Sequence, residues 1–182
     1  MHADRTVADL ELFLAERGDL LLRTAVLLAG SREAGEDLLQ TALERLLKRW
    51  TTIDGSPEGY LRRTLYHLAA DRWRQQAALR RQLRLLRAGD AATVADPMAE
   101  LELRDSLVRL LMQLPPRQRA VIVARYWEQL SEAESAQLLG CSIGTVKSAT
   151  ARGLQRLREL SGSSAREQED GGQARISKER MA

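Results

Sequence analysis

An all-α protein of two small helical domains joined by a flexible linker, the second containing a helix-turn-helix, is the fold that three features of this sequence predict. Aromatics make up only 4% of the 182 residues, while aliphatic and charged residues dominate. The abundance of leucine, alanine, arginine and glutamate favours helix throughout. Apolar residues recur at helical spacing in nearly every segment, and no strand pattern competes. The periodicity lapses between Ala88 and Pro97, where glycine, proline and two acids interrupt it. A chain of this length buries one moderate core or two small ones, and the lapse favours two.

The first lobe starts with one or two helices over about Val7 to Ala29, offering Leu10, Phe13, Leu14, Leu21, Val26 and Leu28 for burial, with Gly18-Asp19 as a candidate break. Ser31 is placed to cap a helix running to about Trp50, with Ala34, Leu38, Ala42 and Leu46 on its inner face. Thr51 to Ser56 reads as a loop. Pro57 suits the first turn of a helix phased through Leu61, Leu65, Leu68, Ala69 and Trp73, with Arg74 to Arg87 as its extension. These elements give domain limits of residues 1–87, followed by a linker at residues 88–97.

From Met98 the pattern resumes through Leu101, Leu107, Leu110, Leu111 and Leu114, and Pro115-Pro116 ends one helix and starts the next, Arg117 to about Gln129. In the helix-turn-helix that follows, Ser131 and Glu134 have the spacing of a capping box. Gly140 permits the left-handed end of the helix, and Ser142 caps its successor. Val146, Thr150, Gly153 and Leu157 form the inner stripe of that second helix, leaving Thr145, Lys147, Ser148, Ala149, Arg152 and Arg156 to meet DNA. No acid lies between Ser142 and Arg158, so small polar groups can reach base edges and cations can neutralise phosphates. The second lobe spans residues 98–160. The tail, residues 161–182, mixes Ser, Gly and Gln with four acids and four bases and is expected to be disordered.

Net charge is only +3, but it is segregated. Arg62 to Arg87 holds eight arginines against the single acid Asp71, and Asp90 to Asp105 is acidic apart from Arg104. Along Tyr60 to Arg74 aromatics interleave with arginines, a composition that suits separated as well as paired nucleic-acid strands. Tyr60 and Trp73 read equally as core residues, and the same alternative holds for Trp50 and Tyr66. The lone Cys141 cannot form an internal disulfide, and His2 and His67 lie too far apart for a metal cluster, so neither metal nor cofactor is expected. No catalytic constellation is visible, which argues against an enzyme. The longest apolar run, Leu20 to Gly30, is broken by Arg23, and the first residues lack the design of a signal peptide, so a cytoplasmic protein without membrane insertion is expected.

Five segments occur in an order that resembles a known family: Glu36-Asp37-Leu38-Leu39-Gln40, the Trp50 position, Pro57 to Arg74, Leu114-Pro115-Pro116-Arg117-Gln118-Arg119, and Leu130 through Arg158. From about Val7 to Leu160 the chain is similar to RNA polymerase sigma factors of the sigma-70 superfamily, extracytoplasmic-function group, and within it to the actinobacterial SigE-type subfamily. The resemblance implies that the first lobe grips the β′ clamp helices of core RNA polymerase and melts the promoter's −10 element. The second lobe would hold the −35 element and the β flap, and an anti-sigma factor would be a further partner.

Carried over by position, Asp37, Leu38, Gln40 and Thr41 would bind core polymerase. Arg62, Arg63, His67, Asp71, Arg72 and Arg74 would handle −10 DNA, and Thr145, Lys147, Ser148, Arg152 and Arg156 the −35 duplex. The chain departs from the family pattern at His67, usually asparagine, at Ser135, usually apolar, and at Ala149, usually arginine. Two other readings stay open on the residues alone: a regulator binding operator DNA without a sigma role, and a helical protein-protein adaptor.

Overall fold

The computed structural model describes residues 6–86 and 103–179, and no strand occurs among them. The linker expected at residues 88–97 lies outside the described residues. Helix α1 covers Val7–Ala29. Thr6 and Asp9 form a capping box at its start, and Gly30 closes its end in the left-handed region with φ 99°. The helix runs unbroken through Gly18, where the sequence offers a break, because a single glycine costs only about 1 kcal/mol and Leu10, Phe13 and Leu21 on either side are packed in the core.

Helix α2, Arg32–Leu47, follows after Ser31, whose hydroxyl accepts from the Ala34 amide. The two helices approach closely at Gly35, where a Cβ would stand 2.6 Å from a Val26 methyl carbon and 2.8 Å from the Val26 backbone. Trp50 is core: its indole Nε1 donates to the Thr6 carbonyl at 3.0 Å and its ring lies 6.2 Å from Phe13. Helix α3, Pro57–Leu86, lays Leu61, Leu65 and Ala69 into the same core. Tyr66 is buried there too, its hydroxyl without a hydrogen-bond partner.

The second unit comprises α4, Leu103–Met112, α5, Pro116–Ile122, a π turn at Val123–Trp127, α6, Glu132–Leu139, and α7, Ile143–Glu179. The sequence predicts one helix from Arg117 to about Gln129, but its second half widens into the π turn. Gln129 then takes the left-handed conformation, φ 55°, and the Leu130 amide returns to the Ala124 carbonyl at 3.0 Å. Such turns concentrate at functional positions. The capping box of Ser131 and Glu134 and the left-handed Gly140, φ 62°, are both present. Accepting bonds from Ser131 holds the Glu134 carboxyl below its usual range. Helix α7 continues past Leu160 to Glu179, where the sequence predicts disorder. No proline follows Pro116 to stop it, and Ala165 to Glu169 are helix formers that extend an already nucleated helix.

The expectation of two separate cores is corrected. One cluster joins Leu21, Leu28, Leu46, Leu61 and Leu65 of the first unit to Leu111, Leu114, Val123 and Ala124 of the second. A smaller cluster, Val121, Ala136, Val146 and Ala149, lies within the helix-turn-helix. The units close on each other because α1 and α3 leave apolar surface that the first unit alone cannot cover, and α4, α5 and the π turn bring the matching residues.

Candidate nucleic-acid interface

In α7 the residues Thr145, Ser148, Arg152 and Arg156 recur at helical spacing and, with Lys147, are exposed. Ser142 starts the helix: its hydroxyl accepts from the Thr145 amide and lies 2.9 Å from the Thr145 hydroxyl. Arg152 folds back onto Ser148, donating to its carbonyl at 3.2 Å, while Lys147 pairs with Glu132 at 3.5 Å and Arg156 with Glu159 at 3.4 Å. These exposed pairs are weak and easily exchanged for phosphates. A shallow open cleft lined by Gln113, Pro115, Gln118, Arg152, Gln155 and Arg156 adjoins this face.

Ala149, assigned to the DNA face from sequence, is buried instead against Val121, Ala136 and Val146. Its position three residues after Val146 puts it on the inner stripe. Gly153 lies beside it on that stripe, where a Cβ would meet Ile122 at 3.0 Å. Ser135 is fully buried and its hydroxyl lacks a partner.

On α3, Arg63, His67 and Arg74 are exposed and share a face with the half-buried Asp71, which pairs with Arg74. The other two arginines point elsewhere. Arg72 donates to the Ala34 carbonyl of α2 at 3.3 Å. Arg62 lies between Glu58, at 2.8 Å, and Glu128 of the second unit, at 2.7 Å. Burial pushes the Glu128 carboxyl up, against the opposing pull of Arg62 and the Thr24 hydroxyl. Tyr66 beside them is raised well above its ordinary value, by burial first and then by Glu128.

On α2, Asp37, Gln40 and Thr41 are exposed on one acidic and amide-rich face. The Thr41 hydroxyl donates to the Asp37 carbonyl, and Gln40 reaches Glu44. Leu38 is corrected. It is 4% exposed and belongs to the core, as its spacing with Ala34, Ala42 and Leu46 requires, so no partner can reach it.

Arg119 is a residue that sequence reasoning passed over. It is buried, donates from Nη1 to the Leu28 carbonyl at 3.2 Å, and lies 5.3 Å over the Trp73 ring. Its only sequence signal is its place at the end of the Leu114 to Arg119 motif. Trp127 is a second: Nε1 donates to the Thr24 hydroxyl at 3.0 Å. Among the described residues no three His, Cys, Asp or Glu side chains gather as metal ligands, and no helix is long and apolar enough to cross a membrane.

Residues 14–79 match the Sigma-70 region 2 family and residues 104–157 match Sigma-70, region 4. The RNA polymerase sigma-E factor of Streptomyces coelicolor is 38% identical over 155 residues, covering 84% of this chain and 86% of that protein. The ECF RNA polymerase sigma factor SigM of Mycobacterium tuberculosis is 33% identical over 144 residues, covering 78% and 71%. The fold matches the sigma factor RpoE of Bartonella quintana, solved with the anti-sigma factor NepR, at a TM-score of 0.65 and 24% identity over 85% of this chain and 97% of that one. It also matches CnrH, solved with the cytosolic domain of CnrY, at a TM-score of 0.62 and 18% identity over 87% and 90%. With both sigma-70 regions in order on two helical units, the chain belongs to the extracytoplasmic-function group of RNA polymerase sigma factors.

Proposed function

We propose that this sigma factor binds core RNA polymerase, recognises −35 and −10 promoter elements and promotes melting of the DNA for initiation. The observation that carries this reading is the exposed face of α7, where Thr145, Lys147, Ser148, Arg152 and Arg156 stand together on a helix with no acid between Ser142 and Arg158. Polar groups near the helix start read base edges in the −35 major groove, and the arginines further along position the helix on phosphates.

Residues 1–87 act as the polymerase and −10 module and residues 98–160 as the −35 module. Asp37, Gln40 and Thr41 meet the β′ clamp helices through carboxylate and amide groups. Arg63, His67 and Arg74, with Asp71, face the −10 strand. Arg62 and Arg72 join them only after leaving Glu128 and Ala34. The chain works in the cytoplasm and lends promoter choice to a catalytic machine it does not itself contain. An anti-sigma factor is a further partner, as NepR is for RpoE of Bartonella quintana.

Core polymerase sets the spacing of the two DNA-binding units, so avidity for a promoter arises only in the holoenzyme. Purified core should capture the chain without DNA and, with it, transcribe from a cognate promoter. A chain that core ignores, while it binds duplex tightly alone, would make it an ordinary operator-binding regulator.

A further inference from the structure

No acid occurs on α7 between Ser142 and Arg158, yet an acid reaches its DNA face from the other helix of the motif. Glu132, the first residue of α6, stands with Oε2 3.5 Å from Lys147 Nζ. The cap of α6 does not require it: Glu134 accepts from the Ser131 amide at 2.7 Å, and the Ser131 hydroxyl accepts from the Glu134 amide. The neighbouring cations find their partners on α7 itself, Arg152 on Ser148 and Arg156 on Glu159. Lys147 is tied across the turn, beside Ser148 and near the helix start that enters the groove. With side chains 64% and 39% exposed, the pair is weak in water. Against DNA a carboxylate in this place repels phosphate, so it opposes the affinity that the rest of the face supplies.

We propose that Glu132 is a positioning residue that sets specificity in −35 recognition: it keeps Lys147 on one base pair and off the backbone. The inference rests on the −35 reading above and deepens it. Alone, Lys147 would be a flexible point charge that gains from any nearby phosphate and releases a counterion there. Moving to a phosphate would leave Glu132 uncompensated beside a polyanion, so the pair stays together, and its attraction rises as the interface excludes water. The joined side chains offer a donor ammonium beside an acceptor carboxylate. In the major groove guanine presents N7 and O6 as acceptors, and its cytosine presents the N4 donor beside O6. A G·C pair therefore fits best, with the ammonium on guanine and the carboxylate on cytosine N4. Selection works partly by repulsion, because Glu132 disfavours each register in which it faces an acceptor or a phosphate.

The test is holoenzyme binding to duplexes carrying all four base pairs at each −35 position, at several salt concentrations, for the parent, Glu132→Gln, Lys147→Met and the double variant. Glu132→Gln should tighten binding averaged over sequences about threefold to tenfold, steepen the salt dependence by about one counterion, and flatten the preference at one position by a similar factor. Lys147→Met should lose the same preference with little change in salt dependence, since the paired lysine displaces no counterion. In the Lys147→Met background, Glu132→Gln should no longer steepen the salt dependence or change the preference. A first-turn acid that only stabilises α6 acts whether or not Lys147 is present, so equal effects of Glu132→Gln in both backgrounds overturn the proposal. Unchanged preference and salt dependence in Glu132→Gln overturn it too, while leaving the −35 reading intact. A parent holoenzyme without preference at any −35 position overturns the −35 reading itself, and the role of Glu132 with it.

Discussion

Arg119 donates from Nη1 to the Leu28 carbonyl oxygen at 3.2 Å, so a side chain of α5 satisfies the last turn of α1 from 91 residues along the chain. A cation at a helix C-terminus meets the negative end of the dipole, and here the guanidinium is also buried and stacked on Trp73. Arg119→Ala should lower the unfolding free energy by about 1.5 to 3 kcal/mol, the range for a hydrogen bond to a charged group. Arg119→Lys should recover only part of this, since an ammonium lacks the planar fork. Urea denaturation measures both; a loss under about 0.5 kcal/mol for the alanine variant would mean that the buried contact contributes no more than a surface one.

Leu38 and Asp37 are adjacent in sequence and opposite in role. Leu38→Ala should cost about 2 to 5 kcal/mol of stability, as a large-to-small change in a packed core does. Asp37→Arg should leave stability near that of the parent and weaken capture by core polymerase about tenfold, a change of ~1.4 kcal/mol. Thermal denaturation and a core-binding titration on both variants separate the two roles. Equal loss of core binding in a stably folded Leu38→Ala chain would return Leu38 to the contact face.

Ser135 has a fully buried hydroxyl without a hydrogen-bond partner. Ser135→Ala removes the stranded polar group at little loss of volume and should raise stability by roughly 1 kcal/mol. A destabilised Ser135→Ala chain would show that the hydroxyl is satisfied in solution.

What could be read locally was legible, and what depends on distant parts of the chain was not. The capping box of Ser131 and Glu134 and the left-handed Gly140 are fixed within a few residues, so their spacing reveals them. Leu38 and Ala149 are legible too, since both stand at helical spacing from buried neighbours. The seam between the two units has no such signature. Thr24 and Trp127 lie 103 residues apart, both are polar at the contact, and the π turn that aims Trp127 leaves no pattern in the sequence. A shared core between the units is equally hidden, because apolar stripes show which face is buried but not against what.

Stability should depend on pH through Glu128. Burial raises its carboxyl in the folded chain, so the folded form holds that proton more tightly than the unfolded one does. By linkage, stability gains as pH falls from neutral through the raised value, and the gain is complete below the ordinary carboxylate range. Urea denaturation at neutral pH and at pH ~5 measures it, and Glu128→Gln should flatten the difference. A chain that loses stability over that interval would mean that loss of the Arg62 pair outweighs burial.

Arg152 discriminates between reading a base and holding a phosphate. In the free chain its guanidinium rests on Ser148, one turn back, an exposed contact that costs little to release. If Arg152 reads a base pair, Arg152→Ala should cost holoenzyme binding about 1 to 3 kcal/mol and relax preference at one −35 position. If it meets phosphate, the loss should be nearly uniform across sequences and the salt dependence should fall by about one counterion. Its place nearly three turns past Ser142 favours phosphate, because the helix start projects deepest into the groove and Thr145 and Ser148 stand nearer to it. Binding to a set of −35 variants at two salt concentrations measures both quantities. If neither changes, another face of α7 meets the DNA.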